Sequence, residues 1–258
     1  MSPGPETSAA YDTVRYASLA GRNVLITGGA SGIGAEMVQA FVAQGSVVSF
    51  IDIDEAAGAR TAAATGAEFV ACDATDIAAL RAAIAGIEDR HGAIAVLVNN
   101  AAKDDRHVMA DVEPEQWRRT LALNLDHQFF ATQAVSPGMI AAKRGSIIMF
   151  GSISWMRGVP GMVGYTAAKA AINGMTRTLA RELGPSGIRV NCIVPGAIVT
   201  ERQTRLWTTP EMSQQFIERQ ALKFRLDGSH VARMALFLGS DESCGCTSAN
   251  FIVDAGMS

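Results

Sequence analysis

Cysteine is scarce in this chain: Cys72, Cys192, Cys244 and Cys246 are the only four in 258 residues, too few and too scattered for a disulfide framework. Cys72 and Cys192 fall in apolar, strand-like runs and read as small buried hydrophobes. The C-G-C spacing of Cys244 and Cys246 has no second pair and no histidine after His230, and His91, His107 and His127 are dispersed, so no metal centre is expected. An excess of one charge is missing too. Twenty-two Lys and Arg stand against 25 Asp and Glu, a formal charge of -3, which gives no basic bias toward nucleic acid. Nowhere do eighteen apolar residues run together, so no membrane span is expected. Repeats, low-complexity tracts and a Pro/Gly/Ser-rich linker are absent as well, which predicts one domain over residues 19–258. The first eighteen residues, MSPGPETSAAYDTVRYAS, lack the apolar stretch of a signal peptide and read as a loose tail on a cytoplasmic protein.

With 48% hydrophobic residues the chain can bury a large core. The runs NVLIT, SVVSFID, EFVACD, IAVLVNNAA, SIIMFGS, RVNCIVPG and NFIVD have strand character, and between Asn23 and Gly184 such runs alternate with helical patterns. That alternation predicts an α/β fold: a doubly wound, mostly or wholly parallel seven-stranded sheet with helices on both faces.

The first strand runs into TGGASGIG and then into AEMVQAFVAQG, whose apolar spacing is helical. Strand, glycine turn and helix form a relative of the dinucleotide fingerprint, as in a Rossmann domain. Gly28 suits the tight turn, Gly32 close approach of backbone to pyrophosphate, and Gly34 close packing of the helix. The helix start offers unpaired N–H groups to phosphate. Asp52 ends the second strand, 24 positions after Gly28, where an acid accepts both adenosine ribose hydroxyls and repels a 2′-phosphate. With Ala30 rather than arginine in the turn, the expected cofactor is NAD. Asp73 is placed to meet the adenine amino group. Asn99 and Asn100 either tie neighbouring strands or line the cleft.

Further on, Tyr165 and Lys169 stand four apart in GYTAAKAAINGM, thirteen residues after Ser152. On a helix they share a face. A fixed ammonium beside a phenol favours phenolate, and a base works best when its pKa approaches the working pH. Ser152 can hydrogen-bond the substrate oxygen that gives up its proton.

In this order along one chain, TGGASGIG, Asp52, Asp73, NNAA, Ser152 and YTAAK resemble the short-chain dehydrogenase/reductase family over about residues 19 to 258. The resemblance implies a catalytic set of Asn124, Ser152, Tyr165 and Lys169, in which Asn124 helps retain a water chain behind Lys169. It implies cofactor contacts from Gly28, Ser31, Gly32, Ile33, Asp52, Asp73, Ala74, Asn100, Ala101, Tyr165 and Lys169, and from Pro195, Gly196, Ile198 and Thr200 of VPGAIVT. Hydride would pass from a carbinol carbon to nicotinamide while tyrosinate takes the proton; Lys169 and the charge on oxidised nicotinamide would lower the tyrosine pKa. Two departures are Ala102, where the family commonly has glycine, and TSAN at 247–250 in place of a TG-containing turn. The patterns Glu113 to Met139 and Tyr165 to Gly184 read as long helices, which in this family pair across a twofold, implying a homotetramer.

KDDRH, GSISW and TERQTRLW place Asp104, Asp105, Arg106, His107, Arg202, Gln203, Trp155 and Trp207 near strand ends, a lining suited to a small polyhydroxylated substrate. TPEMSQQFIERQ reads as too polar for a fatty chain. The same segments resemble the family's aldose 1-dehydrogenases, which implies oxidation of a cyclic sugar at C1 to an aldonolactone. Ser152, Ser154, Trp155, Asp105, Tyr165, Arg202 and Gln203 are the candidate substrate contacts. Another secondary alcohol or a 3-oxoacyl substrate, and a non-catalytic nucleotide-binding regulator, are the alternatives.

Overall fold

The seven apolar runs become strands, and those inside the sheet are covered on both faces, which favours β-branched and aliphatic residues in unbroken series. The computed structural model describes Tyr11, residues 14–206 and residues 209–258, without the side chains of Gln203, Arg205 and Leu206. In chain order the elements are β1 (Asn23–Thr27), α1 (Gly32–Ala43), β2 (Val47–Asp52), α2 (Glu55–Thr65), β3 (Glu68–Ala71), α3 (Ile77–His91) and β4 (Val96–Asn99). Next come α4 (Pro114–Leu121), α5 (His127–Ala142), β5 (Gly145–Phe150), α6 (Ser154–Arg157), α7 (Val163–Leu183) and β6 (Ile188–Pro195). The last are β7 (Ile198–Val199), α8 (Glu201–Leu206), α9 (Pro210–Arg219), β8 (Leu226–Asp227), α10 (Gly228–Gly239) and β9 (Asn250–Val253).

All pairings in the seven-stranded sheet are parallel, in the order β3-β2-β1-β4-β5-β6-β9. β1 lies between β2 and β4, so the winding reverses there and leaves a crevice at the carboxyl ends of β1 and β4. A separate pair, β7 with β8, was not legible in the sequence. Alternation along β1 sends Val24 and Ile26 to one face and Leu25 to the other. The first core joins Met37, Val38 and Phe41 of α1 to Val231, Ala235 and Leu236 of α10; the second joins Leu80 and Ile84 of α3 to Val135 of α5 and Ile172 of α7. Helix starts are fixed locally. Asp54 accepts from Ala57 N, Asp76 from Ala78 N and Ala79 N, and Asp227 forms a reciprocal box with His230.

Three sequence expectations are corrected. The span Glu113 to Met139 is helical from Pro114 on but not uniformly α: a π turn, Ala122–Asp126, joins α4 to α5 and buries Asn124 within it. Cys72 lies beyond the end of β3 and is only partly buried, while Cys192 is buried in β6. The expectation of a loose tail over the first eighteen residues is corrected at Tyr11, which is buried with its hydroxyl donating to Glu36 Oε2 at 2.6 Å. Gln44 receives Tyr16 N and donates to the Tyr11 carbonyl, and Ser18 donates to Glu242. In TSAN, Ser248 takes φ 64°, a left-handed conformation that glycine adopts without strain. Among the described residues no helix is long and apolar enough to cross a membrane.

The sharpest steric demand is at Gly34, where a Cβ would stand 1.8 Å from the Gly28 carbonyl oxygen. Gly34→Ala forces the first turn of α1 away from the glycine turn, at a cost of roughly 2–4 kcal/mol. Urea unfolding should show that loss; a midpoint equal to that of the parent chain would contradict this packing.

Candidate active site

The glycine turn closes over the carboxyl end of β1 because Gly28 takes φ 69° and Gly32 φ 54°, both unfavourable for other residues. Asn100, just past β4, donates through Nδ2 to the carbonyls of Thr27 and Gly28, and Thr27 Oγ1 accepts from Ala101 N. Asn100 therefore both fastens the turn and lines the cleft. Asn99 turns inward instead, donating to Gln128 O and Thr132 Oγ1. Asp52, at the end of β2, accepts from Ala30 N at 3.0 Å and from Asp54 N at 3.1 Å, which holds its carboxylate against the glycine turn. Asp73 accepts from both the N–H and the hydroxyl of Thr75 at 2.8 Å, and Ala74 is buried beside it.

Whether these residues suit a dinucleotide can be tested at Gly32. A Cβ there would stand 3.4 Å from Thr200 Cγ2, so its absence keeps open a slot between the start of α1 and Thr200. Ser31, the residue before α1, makes no side-chain cap, leaving the first N–H groups to face that slot. Slot, helix start and anchored acid together fit a dinucleotide.

Beside the slot lies a cavity of about 570 Å³ that brings together Ile33, Asn100, Ser152, Ser154, Tyr165, Lys169, Pro195, Gly196, Ile198, Thr200 and Arg202. β5 ends at Phe150 and delivers Ser152; α7 presents Tyr165 and, one turn on, Lys169. Lys169 is 1% exposed, donates to the Phe150 carbonyl at 2.8 Å, and holds its ammonium 5.6 Å from the centre of the Tyr165 ring. Burial lowers the Lys169 pKa to about 8. The expectation that Lys169 lowers the tyrosine pKa is not met in the protein alone: burial raises Tyr165 to about 12, the Ser152 hydroxyl opposes this, and Asp104 adds to it. Desolvation of the phenolate outweighs both the Ser152 hydrogen bond and the Arg106 charge, which lower it.

Asn124 does not reach the cavity lining. Its amide accepts from Lys103 N and donates to Lys103 O and Thr120 O, fixing the loop that carries Asp104; among the described residues it has no bond to Lys169. Two substrate candidates are also displaced. Asp105 is exposed on the rim, paired with Lys103 at 2.9 Å and Arg202 at 3.1 Å, while Asp104 takes the place on the wall. Trp155 is absent from the wall, and its indole nitrogen is buried without a partner among the described residues. The side chain of Gln203, and Trp207, lie outside the described residues.

Sequence reasoning missed several neighbours. His127, one turn after Asn124, is wholly buried near Lys169, and burial first, then the Lys169 charge, lowers its pKa to about 3. Cys192 lies near Lys169 too, and burial raises its thiol to about 12. Helical spacing from Asn124 was the available signal for His127. On α9, Met212, Gln215, Phe216 and Arg219 line the cavity from one side of the helix, with Phe216 half-buried and the other three exposed.

Residues 28–258 match the family described as enoyl-(acyl carrier protein) reductase. The chain is 47% identical over 246 residues to D-xylose 1-dehydrogenase of Caulobacter vibrioides, covering 93% of this chain and 97% of that protein. It is 44% identical over 249 residues to a probable galactose dehydrogenase, GalD, of Rhizobium meliloti, covering 94% and 97%. Among solved structures, a putative gluconate dehydrogenase from Agrobacterium tumefaciens superimposes with a TM-score of 0.89 at 28% identity, covering 95% of this chain and 98% of the other.

The buried ammonium also has a consequence for stability. The folded pKa of Lys169 lies below its ordinary 10.5, so folding disfavours the charged form at neutral pH, and this penalty is relieved as pH rises from about 8 to 10.5. The Phe150 carbonyl keeps a second donor, Gln128 Nε2 at 3.3 Å. Lys169→Met is therefore expected to stabilise the fold at neutral pH by roughly 1–3 kcal/mol, with a gain that narrows above pH 8. Urea titrations on both sides of that pH measure it; a less stable variant at neutral pH contradicts the assigned penalty.

Proposed function

The chain belongs to the short-chain dehydrogenase/reductase family and is an oxidoreductase, and from that premise we propose that it oxidises the C1 hydroxyl of a cyclic aldose with NAD, giving an aldonolactone. The observation that carries this reading is the convergence of Ser152, Tyr165 and Lys169 on one cavity beside the dinucleotide slot. The two sugar dehydrogenases among the relatives support an aldose as substrate.

NAD would be held by the backbone of Gly28 to Ile33, by Asp52 at the adenosine ribose, by Asp73 and Ala74 near adenine, and by Asn100, Ala101, Pro195, Gly196, Ile198 and Thr200 toward the nicotinamide. Bound there, it supplies the hydride acceptor. Ser152 orients the C1 oxygen through its hydroxyl. Tyr165 accepts the proton from that oxygen, and its raised pKa means that its anion must be supported by positive charge in the filled site. Lys169 is the chain's own source of that charge and also the donor for the nicotinamide ribose. Asn124 contributes by fixing the Lys103 backbone, which sets the wall at Asp104.

Assembly into a homotetramer is part of the same proposal. Phe129 and Ile140 on α5 and Val163 on α7 are exposed, an apolar surface suited to pairing across a twofold. A second substrate reading, another secondary alcohol, is favoured by Met162, Met212 and Phe216 on the cavity wall.

Aldoses, polyols and simple secondary alcohols assayed by NADH absorbance separate the two: the aldose reading expects activity concentrated on aldoses, and activity confined to non-sugar alcohols rejects it. Tyr165→Phe should leave NAD affinity nearly intact and lower kcat by about a hundredfold or more; near-normal turnover removes Tyr165 as the base. Asp52→Ala should relax the preference for NAD over NADP, and an unchanged ratio of kcat/KM for the two cofactors would count against its ribose role.

A further inference from the structure

Five cations, Arg106, Arg157, Lys169, Arg202 and Arg219, line the cavity against a single carboxylate, Asp104. The imbalance is local, for the whole chain carries a formal charge of -3. Three of the five have partners that account for them. Lys169 is bonded to the Phe150 carbonyl, Arg202 is paired with Asp105 at 3.1 Å and Asp104 at 3.6 Å, and Arg106 donates to the Pro160 carbonyl at 3.4 Å.

Arg157 and Arg219 are different. Arg157, at the end of α6 and five residues after Ser152, is half-buried, and its Nη1 lies 2.9 Å from the thioether of Met257, a weak acceptor without charge. Arg219 follows Met212 and Phe216 on the cavity side of α9, where it is exposed, and its guanidinium has no ion pair or hydrogen bond with any described residue. Two guanidinium groups without an anionic partner, Arg157 half-buried and Arg219 exposed, on a wall that also carries Val159, Pro160 and Met162 concentrate positive potential at the cleft.

A neutral sugar does not explain them. Each sugar hydroxyl both donates and accepts, whereas guanidinium only donates, so a neutral polyol calls for carboxylates and amides. Carboxylates and amides are few on this wall beside five cations: Asp104, Gln215 and Asn100, whose Nδ2 is spent on the glycine turn so that its Oδ1 is left to accept. Guanidinium forks match carboxylate and phosphate oxygens.

We propose that the aldose carries an anionic group, a carboxylate or a phosphate, at the end remote from C1, and that Arg157 and Arg219 hold it. This rests on the aldose reading above. C1 then stays at Ser152 and Tyr165 while the anion fixes which end of the sugar enters first.

The test compares kcat/KM, with NAD, for glucuronate and glucose 6-phosphate against glucose, and for galacturonate against galactose. The acidic partner of at least one pair is expected to be favoured about tenfold or more, with the advantage shrinking at high salt; the two arms on glucose tell carboxylate from phosphate. Arg157→Gln and Arg219→Gln should each lower the acidic-to-neutral ratio about tenfold, with partial recovery in the corresponding Lys variants. Equal or better oxidation of the neutral sugars overturns the inference and leaves the aldose reading standing. A rise in KM for NAD, with the acidic-to-neutral ratio unchanged, assigns the arginines to the cofactor and overturns it as well. Failure to oxidise any aldose removes both.

Discussion

The hydrogen bond from Lys169 to the Phe150 carbonyl joins the middle of α7 to the last residue of β5, and the geometry of the site follows from it. Phe150 is held from the other side as well, because Gln128 of α5 accepts from its N–H and donates to its carbonyl. Three elements thus meet at one peptide unit, and Ser152 and Tyr165 take their positions from it. An ammonium in so dry a place is costly, and the fold gives it no carboxylate partner. The cation stands 5.6 Å from the Tyr165 ring, whose phenol burial keeps protonated in the protein alone. Stability is given up at the point where charge is required.

Preorganisation on the cofactor side is achieved differently, through backbone. Asp52 is fixed by the N–H of Ala30, Asn100 fastens the glycine turn to β1, and Gly34 allows α1 to start in contact with the Gly28 carbonyl. These contacts tie β1, β2 and β4 together at the reversal of the winding. A rigid acid and a rigid helix start then face a slot whose width is set by the missing Cβ of Gly32.

The cavity wall combines both styles. Its apolar part comes from Met162, Met212 and Phe216, and its charge from arginines on the β4–α4 loop, α6, α8 and α9. Those segments are far apart in sequence, so their summed field is a property of the closed structure. Overall composition, slightly acidic, conceals it.

The sequence by itself determined the parallel sheet, the seven strands, the glycine turn and the order of Ser152, Tyr165 and Lys169, because each depends on spacing within a few residues or on one period of two or 3.6. Asp52 was legible for the same reason, as an acid at a strand end. Tertiary structure alone decided the rest. It set a π turn around Asn124 within the helical run, turned the amide of that residue to Lys103, moved Asp105 to the rim and Asp104 to the wall, and set His127 near Lys169. Most telling is the phenol itself: the four-residue spacing brought a cation near Tyr165, but whether that cation or burial governs its proton depends on solvent exclusion by distant segments, which no local pattern encodes.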